Sequence, residues 1–246
     1  MSLIFSLCRD IVMLKRFLFG LLLSLPVVFA APVHAGIALS STRVIYEASQ
    51  REATISVIND SKEHVYLIQS WVDTFTTTTE LSDRKAPFLV TPPLFRLDGE
   101  QENRLRIILT DDSLPRDRES VFWLNVKAIP AVEKNDANRL LISVKNRIKL
   151  FYRPAGLTEQ LADNAYQKLT FSRQNGQLVV QNPTPFHISF HNITVGNNPV
   201  PEAGMVAPFS RRQWPLPAGS GNTVTWWAIN DFGGTTEPQH QTLSSS

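Results

Sequence analysis

Short runs of alternating apolar and polar residues, each followed by turn-forming residues, are the feature that most constrains the fold of this chain. We predict a first series of strands at residues 37–46, 53–59, 65–72, 87–90, 103–109, 121–129 and 140–152. No amphipathic segment of three helical turns interrupts this series. Closely spaced short strands with polar turns are typical of antiparallel sandwiches. The sequence therefore predicts an all-β protein.

A second series of strands follows a break in this pattern. Pro154 and Gly156 come directly after the longest strand and favour a short connection. Further strands are predicted at residues 169–172, 178–181, 187–195 and 223–229, in a region rich in proline. Proline is mostly confined to sheet edges and loops. We therefore expect two β domains, residues 36–154 and residues 155–246, joined by a short hinge.

Residues 1–35 have the organisation of a secretory signal peptide. Lys15 and Arg16 precede an apolar run that is too short to span a bilayer comfortably, and Val33 and Ala35 provide small residues at the −3 and −1 sites. An uncleaved membrane anchor is the alternative, and Pro26 together with the small-residue ending argues against it. We expect this segment to be removed on export.

Removal of the signal peptide changes the charge of the chain. The 246 residues include 24 Lys and Arg and 22 Asp and Glu, and residues 1–35 hold three of the bases and one of the acids, which leaves 21 of each. This balance does not favour a nucleic-acid partner. The single cysteine, Cys8, also lies in the signal peptide, so the exported chain has no internal disulfide.

The exported chain carries no recognised catalytic or cofactor motif. Neither a Gly-x-Ser-x-Gly elbow, a His-Glu-x-x-His helix nor a glycine-rich phosphate loop is present. His187 and His191 are about 13 Å apart along one face of a predicted strand, too far for one metal ion, and we expect surface or cross-strand packing for both. The tryptophans lie mostly in apolar strands, where core packing is expected. We predict no enzyme activity, no cofactor, no metal site and no small-molecule substrate.

The last strand of the first series combines an apolar stripe with a row of cations. Leu140, Ile142 and Val144 occupy alternate positions, and Lys145, Arg147 and Lys149 occupy alternate positions of the other parity. One interpretation is a core strand whose lysines reach into solvent. The other is an edge strand that offers its backbone and its apolar stripe to a partner chain, with cations to bind an anionic terminus.

A set of motifs that spans the exported chain resembles the PapD-like periplasmic chaperones of the chaperone–usher pilus pathway. In chain order the motifs are Ser-Thr-Arg-Val-Ile-Tyr at 41–46, Thr-Pro-Pro-Leu-Phe-Arg-Leu at 91–97, Leu-Pro-Arg-Asp-Arg-Glu-Ser at 114–120, Arg-Ile-Lys-Leu-Phe-Tyr-Arg-Pro at 147–154, Asn-Pro-Thr-Pro-Phe at 182–186 and Ile-Asn-Asp-Phe-Gly-Gly at 229–234. The resemblance implies two immunoglobulin-like β-sandwich domains in a boomerang arrangement with a cleft between them. It also implies donor-strand complementation of pilus subunits in the periplasm and their delivery to an outer-membrane usher.

The resemblance further implies a role for individual residues. Arg43 and Lys149 match the pair that binds the subunit's C-terminal carboxylate, and Leu140, Ile142 and Val144 match the donor stripe. An interdomain charge network is expected from three further positions, Glu119, Arg153 and Asp231. The family's turn implies a cis bond before Pro92 or Pro93, and the sequence leaves the choice open.

The sequence also bears on the subfamily, on self-association and on alternative functions. The segment near residues 132–138 is short and resembles the short-loop subfamily that assembles rigid pili. The sequence does not say whether the free protein covers its donor strand by self-association. A secreted immunoglobulin-like adhesin or pilus component is the main alternative function, and an exported hydrolase is a weaker one.

Overall fold

Two β-sandwiches make up the part of the chain that the computed structural model describes, residues 36–75, 86–131 and 141–245. The strands of the first sandwich are β1 (Ile37–Leu39), β2 (Arg43–Glu47), β3 (Ala53–Asn59), β4 (Tyr66–Thr74), β5 (Phe88–Thr91), β6 (Leu94–Leu97), β7 (Glu102–Leu109), β8 (Ser120–Pro130) and β9 (Val144–Arg153). The all-β class predicted from the sequence is confirmed.

The first sandwich packs a four-stranded sheet, in the order β1-β3-β7-β5, against a five-stranded sheet, in the order β2-β9-β8-β4-β6. The alternation in each strand turns one set of side chains inward. Val57, Leu105, Leu124 and Leu150 are fully buried in the resulting core. All pairs are antiparallel except β2 with β9, which run parallel and join the beginning and the end of the sandwich.

The second sandwich begins with a short helix and has its own core. A five-residue helix, α1 (Glu159–Asp163), and a 3₁₀ turn (Ala165–Lys168) precede its strands. The strands are β10 (Thr170–Gln174), β11 (Gln177–Gln181), β12 (Ile188–Val195), β13 (Asn198–Pro199), β14 (Met205–Val206), β15 (Arg211–Pro215), β16 (Thr223–Ala228), β17 (Gln239–Thr242) and β18 (Ser244–Ser245). They form one sheet in the order β15-β11-β10-β18 and another in the order β13-β12-β16-β17, with β14 beside β12. Phe171, Leu178, Ile193 and Trp226 fill the space between the sheets.

The prediction of one strand at residues 37–46 was wrong. β1 pairs with β3 in one sheet, whereas β2 pairs with β9 in the other, so the chain changes sheet between Leu39 and Arg43. The amide and hydroxyl of Ser40 both bond the backbone of Ser56 at this crossing. Periodic apolar residues continue across the crossing because both sheets face the same core, and for this reason the pattern conceals the change of sheet.

The last strand of the first sandwich is shorter than predicted. β9 begins at Val144, where the pairing with β8 starts opposite Ala128. Continuing this register would place Pro130 opposite Ile142, and proline has no N–H to donate to a ladder. Residues 141–143 therefore lie outside the strand. Leu140 and the segment 132–138 lie outside the described residues.

The turn before β6 contains the cis bond that the resemblance implied. The Thr91–Pro92 peptide is cis. Ser70, on β4, donates its backbone N–H to the carbonyl of Pro93 and its hydroxyl to the carbonyl of Pro92. The turn is thereby held against β4, the neighbour of β6 in the five-stranded sheet. The strand β6 that follows it was not predicted from the sequence, because prolines at 92 and 93 obscure the strand pattern.

Candidate functional site

Arg43 and Lys149 are neighbours because β2 and β9 run parallel. In this ladder Arg43 is the Cα partner of Lys149, so both side chains leave the same face of the sheet. This face is opposite the core, which receives Leu150 and Tyr152 from the alternate positions of β9. Two cations brought side by side on a partly buried surface repel each other, and such a pair is suited to binding an anion.

Lys149 lies in a partly buried position and reaches the second sandwich. Its Nζ donates to the hydroxyl of Ser189 at 3.1 Å. Burial and the nearby charges of Arg43 and Arg212 lower the pKa of Lys149 to about 8. The side chain is therefore mostly protonated below pH 8, but its charged form is less stable than that of a lysine in water. A bound anion would stabilise the charged form and raise the pKa.

Arg43 is the more deeply buried of the two cations, with 8% of its surface exposed. Its Nη1 donates to the carbonyl of Ile229 at 3.0 Å, and its guanidinium lies 5.7 Å from the ring centre of Phe151. The Nε atom is buried and has no hydrogen-bond partner within the described ranges. Burial lowers the pKa of Arg43, and the charges of Asp231 and Glu119 act in the opposite direction.

Glu119, Arg153 and Asp231 meet in one buried network that links the sandwiches. Arg153 donates from Nε to Glu119 Oε1 at 2.9 Å, and from Nη1 and Nη2 to the two oxygens of Asp231 at 2.7 Å and 3.0 Å. Burial alone lowers the pKa of Arg153, but its bonds to Asp231 and the charges of both carboxylates raise it above the ordinary value. The network holds one cation and two carboxylates, and the charges of both carboxylates also act on the nearby Arg43. Two cations therefore face the two buried carboxylates, and such pairing is the condition for keeping charges buried.

His187 joins this network, a contact that the sequence did not suggest. Its backbone N–H donates to Glu119 Oε2 at 2.9 Å, and its ring lies 5.8 Å from that of Phe151. The surface alternative was therefore wrong for His187, whose side chain is only 7% exposed and packs beside Phe151 of β9 in the other sandwich. His191 is exposed, as expected. A local sequence pattern contains no signal for His187, because its partners are distant in the chain.

The first half of β9 is paired on one side only. Residues from Val144 to Ile148 pair with β8, and β2 joins on the other side only from Lys149 onward. No other described strand covers this edge. Ile142 and Val144 are 66% and 52% exposed. Two of the predicted donor residues therefore lie next to an open row of backbone N–H and C=O groups, and the third, Leu140, is outside the described residues.

The described residues give no indication of a metal site or of a membrane-spanning helix. Within residues 36–75, 86–131 and 141–245 there is no cluster of three or more His, Cys, Asp or Glu side chains that could hold a metal ion. The same ranges contain no helix with the length and apolar character needed to cross a membrane.

Two family models match the chain in succession. Residues 36–158 match the PapD N-terminal domain of pili and flagellar-assembly chaperones, and residues 164–240 match the C-terminal domain of the pili assembly chaperone PapD. The chain belongs to the PapD family of pilus assembly chaperones. The resemblance found in the sequence motifs is confirmed.

Individual relatives agree with this membership in the PapD family. The probable fimbrial chaperone LpfB of Escherichia coli O157:H7 is 46% identical over 206 residues, which cover 82% of this chain and 86% of that protein. The crystal structure of the E. coli chaperone DraB has a TM-score of 0.72 and 39% identity, covering 85% of this chain and 98% of DraB. A chain in the structure of the Salmonella enterica SafA pilin with the SafB chaperone has a TM-score of 0.73 and 36% identity, covering 87% and 99%. The two-domain β fold is therefore the fold of PapD family chaperones.

Proposed function

We propose that this chain is a periplasmic chaperone that binds and folds pilus subunits by lending them a strand, and that it delivers them to an outer-membrane usher. On this proposal residues 1–35 direct export and are removed, and the two domains comprise residues 36–154 and 155–246. Membership in the PapD family supports a chaperone role, and the SafA–SafB complex is one case in which a relative binds a pilin. The chaperone acts without catalysing a chemical reaction.

The observation that carries this proposal is the half-open edge of β9 next to a pair of cations. A subunit that lacks a strand can pair its backbone with residues 144–148, which no described strand pairs on the side away from β8. Main-chain bonds to an exposed edge provide affinity, and alternate side chains provide register. Leu140, Ile142 and Val144 are proposed to fill the subunit's apolar groove.

Arg43 and Lys149 set the register in this proposal. They lie where the open edge ends and β2 begins to cover β9. A chain that pairs with the edge and ends here places its terminal carboxylate against both cations. Charge-assisted hydrogen bonds to an ionised group are roughly twice as strong as neutral ones. Since a shift by one residue would turn the apolar side chains to the wrong face, a fixed terminus selects one register.

Recovery of bound subunits from the periplasm tests the proposal. The tagged protein is expressed in its own host and released by osmotic shock, and mass spectrometry then identifies the proteins bound to it. We expect fimbrial subunits with the wild type and their loss with Lys149→Ala. Lys62→Ala is the matched control, because Lys62 is an exposed lysine that forms a surface ion pair with Glu100. Equal recovery with Lys149→Ala would contradict the mechanism, and a location on the cell surface would favour the adhesin alternative.

A further inference from the structure

The second sandwich presents one hydrogen-bonded backbone pair to Arg43 and Lys149. This pair consists of Ser189, on β12, and Ile229, which follows directly after β16. The N–H of Ile229 donates to the carbonyl of Ser189 at 2.8 Å. The carbonyl of Ile229 accepts from Arg43, and the hydroxyl of Ser189 accepts from Lys149. Both cations of the first sandwich are therefore bonded to the same pair in the second.

Donors outnumber acceptors at this junction. The hydroxyl of Ser189 accepts one bond, and no acceptor for its own proton is found among the described residues. Arg43 Nε is buried without a partner there. The ammonium of Lys149 has N–H groups beyond the one that Ser189 accepts. A carboxylate, which only accepts hydrogen bonds and has several lone pairs, would satisfy all three groups.

The nearby carboxylates are not available for this purpose. Asp231 receives two bonds from Arg153, and Glu119 receives one from Arg153 and one from the backbone of His187. These bonds hold both acidic side chains on the Arg153 side of the interface. Among residues 36–75, 86–131 and 141–245, no acceptor bonds Arg43 Nε or the hydroxyl proton of Ser189, so a carboxylate of a bound chain can take this place.

Ser189 is held rigidly enough to act as a donor. It is 2% exposed and lies between Ile188 and Phe190, both of which are buried in the core of the second sandwich. Its ladder partner is Met205, whose carbonyl accepts from Arg212 Nη1 at 2.8 Å. Arg212 thus adds positive charge behind the serine. A donor fixed by its own strand loses little entropy when it binds a ligand.

We propose that the hydroxyl of Ser189 is a third donor to the subunit's terminal carboxylate, beside Arg43 and Lys149. Before a subunit binds, the same hydroxyl accepts a bond from the Lys149 ammonium and keeps it directed at the cleft. The inference rests on the proposed function, and it assigns to the second sandwich a direct part in recognition of the terminus. The carboxylate site is then complete only where the two sandwiches meet.

Peptide binding to the purified protein tests this assignment. The probe is the synthetic peptide acetyl-Lys-Lys-Thr-Val-Thr-Val-Thr-Val with a free carboxylate, and its C-terminal amide is the comparison. Calorimetry gives the ratio of the two dissociation constants. We expect Ser189→Ala to reduce the preference for the free acid by about tenfold, the size expected for a hydrogen bond to a charged group. Ser189→Thr, which keeps the hydroxyl, should retain most of the preference.

A second buried serine provides the matched control. Ser70 is 3% exposed and donates its hydroxyl to Pro92 in the first sandwich. Ser70→Ala should leave the acid-to-amide ratio unchanged. If Ser189→Ala does not fold, Ser189→Cys has a similar size and a much weaker donor, and should show the same loss. Circular dichroism melting verifies that each variant is folded.

The outcomes separate this inference from the function on which it rests. If the wild type does not prefer the free acid, the proposed carboxylate anchor is wrong. If the wild type prefers the acid and Ser189→Ala keeps the same ratio, the role of Ser189 is wrong while the anchor stands. An equal loss of affinity for acid and amide would indicate a packing role for Ser189, and would also overturn the inference.

Discussion

Arg43 and Lys149 are ladder partners in the parallel pair of β2 and β9, and each donates a hydrogen bond to the second sandwich. Like charges directly opposite each other destabilise a sheet. No carboxylate of the described residues bonds either cation, since Glu119 and Asp231 are bonded to Arg153. The charges of Asp231 and Glu119 favour the Arg43 cation, whereas burial, Arg43 and Arg212 disfavour the Lys149 ammonium. The ammonium of Lys149 therefore has an electrostatic cost in the empty protein that a bound anion would reduce.

The pH dependence of peptide binding should report this cost. The pKa of Lys149 is about 8 in the empty protein because of burial and of Arg43 and Arg212, and a bound carboxylate raises it. Affinity for the free-acid peptide should therefore be constant below about pH 7 and fall as the pH rises through 8, by about tenfold between pH 7 and pH 9. Calorimetry at a series of pH values measures the change.

Two controls isolate Lys149 in this measurement. The amide peptide has no carboxylate and should show little pH dependence over the same range. Lys149→Arg carries a charge that persists well above pH 9, so its affinity for the free acid should stay level. A wild-type affinity that is the same at pH 7 and pH 9 would contradict the role of the Lys149 ammonium.

The stability of the empty protein should change in the opposite direction. An unfolded lysine titrates near 10.4, above the value of about 8 for Lys149 in the fold. Between these values the unfolded chain binds more protons, so the free energy of unfolding rises with pH in this window. Urea unfolding of the wild type and of Lys149→Met at pH 7.5 and 10 tests this. The gain with pH should be smaller in the variant.

The exposed apolar residues before and at the start of β9 should matter for binding and not for folding. Ile142 and Val144 are more than half exposed, so Ile142→Asp and Val144→Asp should change the free energy of unfolding by less than about 0.5 kcal/mol. Each should weaken subunit binding by tenfold or more, since burying such a side chain contributes about 1.5–3 kcal/mol. Subunit recovery and urea unfolding measure the two effects.

Leu89 provides the control for this pair of substitutions. It is 49% exposed on β5, in the other sheet of the first sandwich. Leu89→Asp should leave subunit recovery unchanged. An equal loss with Leu89→Asp would mean that exposed apolar area in general, and not the edge of β9, determines binding.

The strands were largely predictable from the sequence because alternation is a local property. Ala53–Asn59 and the other long strands of the first sandwich agree with the predicted positions to within a few residues. The short strands of the second sandwich were missed where proline and polar residues interrupt the pattern, as in β15 and β17. The change of sheet before Arg43 was missed because both sheets share one core.

The side-chain environment of the site was less predictable. Ser189 contacts Lys149 across 40 residues of sequence, and no local pattern connects them.

Trp123 was expected to pack in a core, yet its neighbours Phe122 and Leu124 enter the core and Trp123 faces the opposite side. There Arg147 lies 4.6 Å from its ring centre. Arg147 is exposed, and its guanidinium covers the Trp123 ring.

Removal of Arg153 should destabilise the protein more than removal of any surface arginine. Glu119 would remain buried at 4% exposure without its charged partner, and Asp231 would lose both of its bonds to Arg153. Breaking a buried ion pair from one side costs about 3–5 kcal/mol. We expect a loss of this size for Arg153→Met in urea unfolding.

The exposed pair of Arg116 and Asp112 provides the comparison. Its side chains are 81% and 75% exposed, so Arg116→Met should cost less than about 1 kcal/mol. Arg153→Lys should lie between the two, because an ammonium cannot reproduce the fork of bonds to Asp231. A loss for Arg153→Met no larger than that for Arg116→Met would show that the network does not stabilise the fold.

The turn that carries Asp231 should be sensitive at Gly233. This glycine has φ of 83°, a conformation that L side chains rarely adopt, and an added Cβ would clash with Thr42 Oγ1 of the first sandwich. Gly233→Ala should therefore displace the turn and weaken the bonds of Asp231 to Arg153, with a loss of roughly 3 kcal/mol in urea unfolding. Gly176→Ala is the matched control, since Gly176 has φ of 73° and nothing lies within 4 Å of its added Cβ. This substitution should lower the free energy of unfolding by about 1 kcal/mol, from backbone strain alone. Thr42→Ala removes the clashing oxygen. In the double variant of Thr42→Ala and Gly233→Ala, the glycine substitution should therefore lower the free energy of unfolding by no more than Gly176→Ala does. Independent sites would not show this coupling.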